Sequence, residues 1–389
     1  MSSNLQTERR VTLGFCEVLD SDELYRLKSH YFPDGKVGGK PSWLNPVDLP
    51  STEDLVCPGC TKGMAFLAQL YCPIVGGDKN NFHRTLFVFI CRNPNCSKFY
   101  GMDRIDPELD IDVPNPCFDA KTYPHLCEIC GCGATKKCAK CQDAWYCCRD
   151  HQAIDWTAHK THCGKPKVDK VEEMEEEGAE FALPEKSKPS NPFVFPEYNL
   201  EIETEQITQG YFETVVKEAD EDDDESEGEE DERELAKRMK EFKKLSTTNE
   251  ISADDLGNID ESASTKDKSF QVFQKIISRY PDQIVRYDCG GKPLLATDFA
   301  PIPKDIPKCE NCGANRQFEL QLTPHLLSMI DVDTLGQSID WGTVLIYTCS
   351  KSCDIKYFGY TKEVAFKQDF DLITDASQPV GEENDEGSQ

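Results

Sequence analysis

The sequence predicts an α+β, β-rich fold in which two duplicated zinc-ribbon-like halves form one body, with a cysteine- and histidine-rich finger and a long acidic linker inserted between them. Three observations lead there. The stretch that opens Gly38-Gly39-Lys40-Pro41 and closes on Leu70 recurs 252 residues later, from Gly290-Gly291-Lys292-Pro293 to Leu322. Between the copies, eight cysteines and histidines at metal-ligand spacing crowd into residues 127–163, and long runs of carboxylates follow them. The boundaries that result are 1–118 for the N-terminal half, 119–164 for the finger, 165–268 for an acidic, mostly disordered linker with short docking segments, 269–375 for the C-terminal half and 376–389 for a disordered tail.

In the first half, VTLGFCEV (residues 11–18) reads as a strand and DELYRLKSHYF (22–32) as a short helix entered by Ser21 or Asp22. Residues 66–74 and 86–90 read as the strands of a hairpin, with Gly76-Gly77 and Asn80-Asn81 as turn chemistry between them. Fifteen residues after each GGKP comes a C-x2-C pair, Cys57/Cys60 or Cys309/Cys312, and FLAQL (66–70) answers FELQL (318–322). Each copy then passes through an apolar segment, 86–90 or 344–348, into a second pair, Cys91/Cys96 or Cys349/Cys353. A cysteine pair at each end of a hairpin is what a zinc ribbon needs, because four thiolates must converge on one tetrahedral ion.

The finger offers Cys127, Cys130, Cys138, Cys141, Cys147, His151, His159 and Cys163 as ligands. So short a segment has almost no apolar core, so metal binding and folding are expected to be one event. In the linker, two islands stand out from the carboxylates: NPFVFPEYNLEIE (191–203), apolar enough to dock back on a sheet, and ERELAKRMKEFKKL (232–245), with Leu235, Met239, Phe242 and Leu245 near one helical face. Order is expected to return with a helix over 269–280 stopped by Pro281, a strand over 284–287, and then the second copy.

Twenty cysteines in clustered pairs, in a chain expected to work in the reducing cytoplasm and nucleus, point to zinc rather than disulfides, with four ions expected. Cys16, Cys72, Cys117, Cys132, Cys148 and Cys289 are left over as spare thiols, and His30, His83, His125 and His325 stand single. No apolar run reaches the length of a bilayer span, and the first residues lack the apolar stretch of a signal peptide, so no membrane association is expected. The net charge of −28 repels nucleic acid and draws in basic partners. GKVGGKP (35–41) falls short of a phosphate loop: three residues rather than four separate Gly35 from Gly39, and Pro41 stands where a magnesium-binding hydroxyl belongs. No nucleophile–base pair suggests itself, and a closed four-ligand zinc site leaves no position for substrate, so the chain is expected not to be an enzyme.

The finger strongly resembles the MYND zinc finger, through its ligand spacing and the YC, HQ, DW and HK signatures within residues 143–163. That resemblance implies interleaved ligation, with Cys127, Cys130, Cys147 and His151 on one zinc and Cys138, Cys141, His159 and Cys163 on the other, His151 replacing a more usual cysteine. It also implies docking of short proline-containing peptides. YFPDGKVGGKPSWL (31–44), FLAQLYCPI, FHRTLFVFICRNPNC (82–96), the finger, CENCG (309–313) and FELQL together resemble the programmed cell death protein 2 family. This likeness implies a monomeric, non-enzymatic chaperone that captures a basic small-subunit ribosomal protein of the Rps two class and supports small-subunit production. Yeast relatives in that family lack the finger, which assigns recognition to the ribbon halves, expected to pack about a pseudo-twofold axis and to present a groove or exposed sheet edge. The alternative is a nuclear adaptor working through finger–peptide contacts in transcriptional corepression or apoptosis regulation.

Overall fold

Runs rich in β-branched and aromatic residues form the strands, which outnumber the helices among the described residues. The computed structural model describes residues 10–20, 23–28, 35–45, 48–74, 83–94, 96, 99–106, 124–165, 188–207, 209–224, 267–300, 302–332, 339–353 and 359–370. Strands β1 (Thr12–Glu17), β2 (Gly35–Val37), β3 (Ala65–Tyr71), β4 (His83–Ile90) and β5 (Phe99–Asp106) precede the finger, which holds the small hairpin β6 (Lys136–Lys137) and β7 (Trp145–Tyr146). After it come β8 (Tyr198–Thr204), β9 (Val285–Tyr287), β10 (Arg316–Leu322), β11 (Thr343–Cys349) and β12 (Thr361–Gln368). The helices are α1 (Tyr25–Lys28), α2 (Arg149–His159), α3 (Gln209–Asp224), α4 (Lys268–Ile277) and α5 (His325–Met329). None of the described helices is long and apolar enough to cross a membrane.

Ten strands, in the order β1-β8-β2-β3-β4-β5-β12-β11-β10-β9, close into a barrel, with β9 returning to β1. The expected exposed sheet edge is therefore corrected: every described barrel strand has a hydrogen-bonded neighbour on each side, which is how a barrel disposes of its edges. The two hairpins β3–β4 and β10–β11 share an irregularity at the same 252-residue offset. Register shifts between Phe66 and Ala68 in one and between Phe318 and Leu320 in the other. The residues inserted by these bulges are Leu67 and Glu319, both wholly buried.

β4 is buried along its whole length because its two faces feed two cores. Leu86, Val88 and Ile90 join Val37, Leu67, Leu200, Leu320, Leu322, Ile346 and Trp341 in one cluster, while Phe87 and Phe89 join Trp43, Leu55, Phe66 and the sulfurs of the finger in another.

Glu319 has no apolar role to play in the first of these cores, and the fold answers it with charge. Arg84 on β4 grips both carboxylate oxygens, Nη2 lying 2.7 Å from Oε2, and the hydroxyls of Tyr287 (2.9 Å) and Thr348 also donate to it. Burial opposes ionisation of Glu319, yet Arg84 and these hydrogen bonds hold its carboxyl below the ordinary carboxylate range. This pair joins a strand of the first half to a strand of the second.

The segment expected as linker contributes more structure than composition suggests. Its first island docks as an integral strand: β8 pairs with β1 and β2, Leu200 opposite Cys16 and Asn199 opposite Lys36. Residues 209–224, read as linker, instead form α3. Tyr211, Phe212, Val215, Val216 and Ala219 supply a helical apolar spacing there, and Val215 and Ala219 are buried. The chain divides into two compact units, and the division does not follow the boundary expected at 269. The first comprises residues 1–208, 277–293 and 303–367; the second comprises 209–276, 294–302 and 368–389.

Within the second unit, Asp267 caps α4 by accepting from the Phe270 amide (3.0 Å), and Phe370 packs edge-on against Phe270 and Phe273. Lys275 meets Glu218 at 3.1 Å, tying α4 to α3. The expected turn at 76–81, the helix over 232–245, the disordered remainder of the linker and the tail 376–389 lie outside the described residues. The short helix expected over 22–32 is described only as the single turn of α1.

Arg84→Met strands a buried carboxylate and is expected to cost about 3–5 kcal/mol in urea denaturation of the zinc-loaded protein. Adding Glu319→Leu, which copies Leu67 of the other hairpin, should recover most of that loss. In wild type the depressed carboxyl contributes stability that is present above its unfolded pKa and lost as pH falls through its folded one. Without Arg84, burial raises that carboxyl instead, so the single variant's deficit should shrink as pH is lowered from 8 to 6.

Candidate metal centres

Four C-x2-C turns share one backbone device. In the first ribbon the Cys57 amide donates to the Lys62 carbonyl (2.8 Å) and the Thr61 amide to the Cys57 carbonyl (2.8 Å); in the second, Cys309 donates to Ala314 (2.9 Å) and Gly313 to Cys309 (2.8 Å). The finger repeats it twice, with Gly131 donating to Cys127 and Gln142 to Cys138, both at 2.9 Å. Each turn needs a left-handed residue directly after its second cysteine, and Thr61, Gly131, Gln142 and Gly313 adopt φ of 59°, 71°, 61° and 70°. Glycine takes that conformation freely, whereas a β-branched Thr61 is strained in it.

The chain brings the sixteen candidate ligands together as four quartets: Cys57, Cys60, Cys91 and Cys96; Cys127, Cys130, Cys147 and His151; Cys138, Cys141, His159 and Cys163; and Cys309, Cys312, Cys349 and Cys353. Within each, the ligand atoms all lie within 4.8 Å of one another. Sulfur pairs stand at 3.2 Å (Cys57–Cys96), 3.4 Å (Cys60–Cys91), 3.7 Å (Cys130–Cys147), 3.8 Å (Cys138–Cys163), and 3.6 Å for both Cys309–Cys353 and Cys312–Cys349. Those separations are far too long for a disulfide bond of about 2.05 Å. Zn–S bonds of about 2.3 Å place the corners of a tetrahedron about 3.8 Å apart, so the donor sets fit zinc.

Strands and one helix set these positions. Each ribbon's first pair precedes β3 or β10, and Cys91 and Cys349 lie at the ends of β4 and β11. In the finger, α2 serves both quartets. Its N-terminus is capped by the sulfur of Cys148, which accepts from the His151 amide, and His151 and His159 lie two turns apart and buried. His151 presents Nδ1, 3.1 Å from the sulfur of Cys147, whereas His159 presents Nε2, 3.5 Å from that of Cys141. Phe193 packs edge-on against the His151 ring at 4.1 Å and fixes its plane.

Amide donors also tune the thiols: the Lys62 amide chiefly lowers Cys60 to about 7, and at the matching position the Ala314 amide lowers Cys312 to about 7. Cys138 is lowered to about 6, chiefly by the Cys141 amide. A thiol that ionises more readily competes better for metal against protons.

The finger is seated on the first half. Lys40 of the GGKP turn donates to the Glu128 carbonyl (2.6 Å), Trp43 Nε1 to the Gly131 carbonyl (2.7 Å), and Asn191 Nδ2 to the Ile129 carbonyl (3.0 Å). Trp43 in turn packs on Phe87, Phe89 and Tyr360, at 5.0, 6.1 and 5.3 Å between ring centroids. The GGKP glycines permit a tight approach: a Cβ on Gly38 would stand 1.8 Å from the Pro196 carbonyl oxygen. Sequence reasoning found the ligands but missed Trp43, whose only signal was that SWL follows GGKP in the first copy alone, and it singled out the 191–203 island without foreseeing that Asn191 and Phe193 would seat the finger.

The remaining thiols and histidines take structural positions. Cys16 and Cys72 lie in or against the barrel core, Cys132 is buried in the finger, and exposed Cys289 accepts from Gln317 (3.2 Å). His83 bonds the Tyr71 hydroxyl (2.8 Å), His125 stacks on Trp145 with 3.7 Å between centroids, and His325 Nε2 faces Asp282 at 3.9 Å. His30 and Cys117 lie outside the described residues.

Comparison with known proteins agrees with this arrangement. Residues 10–113 match the N-terminal domain of programmed cell death protein 2, residues 267–369 its C-terminal domain, and residues 127–163 the MYND finger. Programmed cell death protein 2 of Bos taurus is 36% identical over 382 residues, covering 94% of this chain and 97% of that protein. The Homo sapiens programmed cell death protein 2-like is 27% identical over 341 residues, 82% of this chain and 85% of its own length. Probable 20S rRNA accumulation protein 4 of Schizosaccharomyces pombe is 35% identical over 108 residues, 24% of this chain and 26% of that protein. No solved structure matches.

Elemental analysis of the purified protein should find about four zinc ions per chain, falling by one when Cys309 and Cys312 are both replaced by serine. Gly131→Val places a Cβ 2.8 Å from that of Lys40 in a left-handed conformation and should cost about 1–3 kcal/mol. It should also speed zinc loss from the finger to a chromophoric chelator, whereas Thr61→Gly should slow loss from the first ribbon.

Proposed function

This chain belongs to the programmed cell death protein 2 family, and on that premise we propose that it is a non-enzymatic chaperone that captures a basic small-subunit ribosomal protein, of the Rps two class, and supports small ribosomal subunit production in the cytoplasm and nucleus. The family's domains and the MYND finger are typically non-catalytic, and the four quartets are closed sets of the kind that stabilise folds. The observation that carries the reading is charge: 71 acidic residues against 43 basic ones give a chain that attracts a basic client and repels the RNA for which that client is destined. A relative whose name refers to 20S rRNA accumulation supports the ribosomal direction.

In this reading the two ribbon halves are one duplicated module. The GGKP echo in the sequence and the shared knuckle and bulge, all at one constant offset, support that descent. Carboxylates between the finger and the C-terminal half raise the encounter rate and shield the client's RNA-facing surface. A second reading, a nuclear adaptor that works through finger–peptide contacts, is favoured by Trp156, a large aromatic 46% exposed on α2.

Affinity capture from ribosome-depleted lysate separates the two. A single dominant, stoichiometric small-subunit ribosomal protein is the expected result, and chromatin proteins alone would overturn it. Neutralising the carboxylates of residues 225–234, which leaves α3 intact, should slow client association severalfold at low salt and flatten its salt dependence; an unchanged salt slope removes the acidic segment from the mechanism.

A further inference from the structure

Between the first ribbon's knuckle and the finger lies a cleft of about 320 Å³. Leu55, Val56 and Met64 give it an apolar wall. Its other wall carries sulfur ligands of two different quartets, Cys60 from the ribbon and Cys130 and Cys147 from the finger. A divalent zinc leaves a four-thiolate centre with two negative charges in excess and a three-thiolate centre with one, so both centres turn negative charge toward the same space. Asp150 adds to it, and Lys62 is the one cation among the described lining residues. Apolar walls strengthen such a field. Acidic segments of this chain, free phosphate and nucleic acid are disfavoured there by like charge. The volume lies at the small end of ligand sites and suits one or two side chains of an extended peptide.

We propose that this cleft seats a short extended segment of a protein partner that pairs an aliphatic side chain with arginine or lysine. The aliphatic group packs on Val56, above the buried Leu55 and Met64, and the cation lies beside Asp150 and the zinc-bound sulfurs. This inference rests on the client-capture reading and names where on the chain a basic client is gripped. It also gives the docking of the finger a purpose, since the cleft exists only while finger and ribbon are held together.

The test titrates the full-length, zinc-loaded protein with a fluorescent peptide, Gly-Ser-Arg-Leu-Arg-Ser-Gly. The controls are its Arg→Glu form, its Leu→Gly form and a single-stranded oligouridine. The basic peptide should bind best, with Lys62→Glu tightening it and Asp150→Lys weakening it, each by about three- to tenfold. Gly63→Phe should block it, because Gly63 lines the cleft and a Cβ there meets nothing within 4 Å, so the ring is accommodated without disturbing the fold. Zinc content measured alongside should stay the same in all three variants.

No binding at millimolar peptide, equal binding of the acidic peptide or the RNA, or indifference to all three variants would overturn the cleft. Cleft variants that still capture the ribosomal client at full yield would do the same while leaving the chaperone reading intact. A wild-type protein that captures no ribosomal protein ends that reading, and the peptide titration still decides the cleft.

Discussion

Closure of the barrel is the constraint on which everything else in the first unit depends, and neither half of the chain can meet it alone. The N-terminal half supplies β1 to β5, the C-terminal half β9 to β12, and β8 comes from between the finger and α3. Two seams join the halves, β5 with β12 and β1 with β9. Inside, Arg84 and Glu319 span them with a buried ion pair. Such a pair adds little net stability compared with well-packed apolar groups, but it penalises any pairing of strands that leaves either charge alone. The difference between the two hairpins, leucine in one bulge and glutamate in the other, thus sets a cost on mispaired strands.

The metal centres are arranged around this frame rather than in place of it. Each ribbon quartet clips the turn that leads into one hairpin strand to the end of the next, so metal holds together residues that the sheet already brings close. The finger differs, because its two quartets replace a core. Its sulfurs nevertheless belong to the same apolar cluster as Trp43, Phe66, Phe87 and Phe89. The outer face of β4 is therefore a shared floor for ribbon and finger.

Much of this was legible in the residues. Cysteine spacing and the GGKP and FLAQL echoes located the ligands and both hairpins, because zinc ligation and tight turns impose short, strict local patterns. Pairing between distant strands leaves no such trace, and so a closed barrel removed the exposed edge from the expected groove or exposed edge. Island 191–203 showed its apolar character, but not that β8 would lie between β1 and β2. Glu319 was visible in FELQL as a departure from FLAQL, yet its burial depends on Arg84, 235 positions away. In α3, carboxylate content hid an apolar spacing that composition alone does not register.

The seam between β5 and β12 has a consequence in time. A nascent chain completes β5 by residue 106 but does not produce its barrel neighbour until residues 361–368 emerge. During that interval the finger and the first ribbon, which need only local sequence and zinc, can form and dock. Meanwhile β5 waits with one backbone edge unpaired, as late-arriving strands in high-contact-order folds require. Translation therefore exposes an assembly in which three of the four metal centres can be finished early and the last strand acts as the latch.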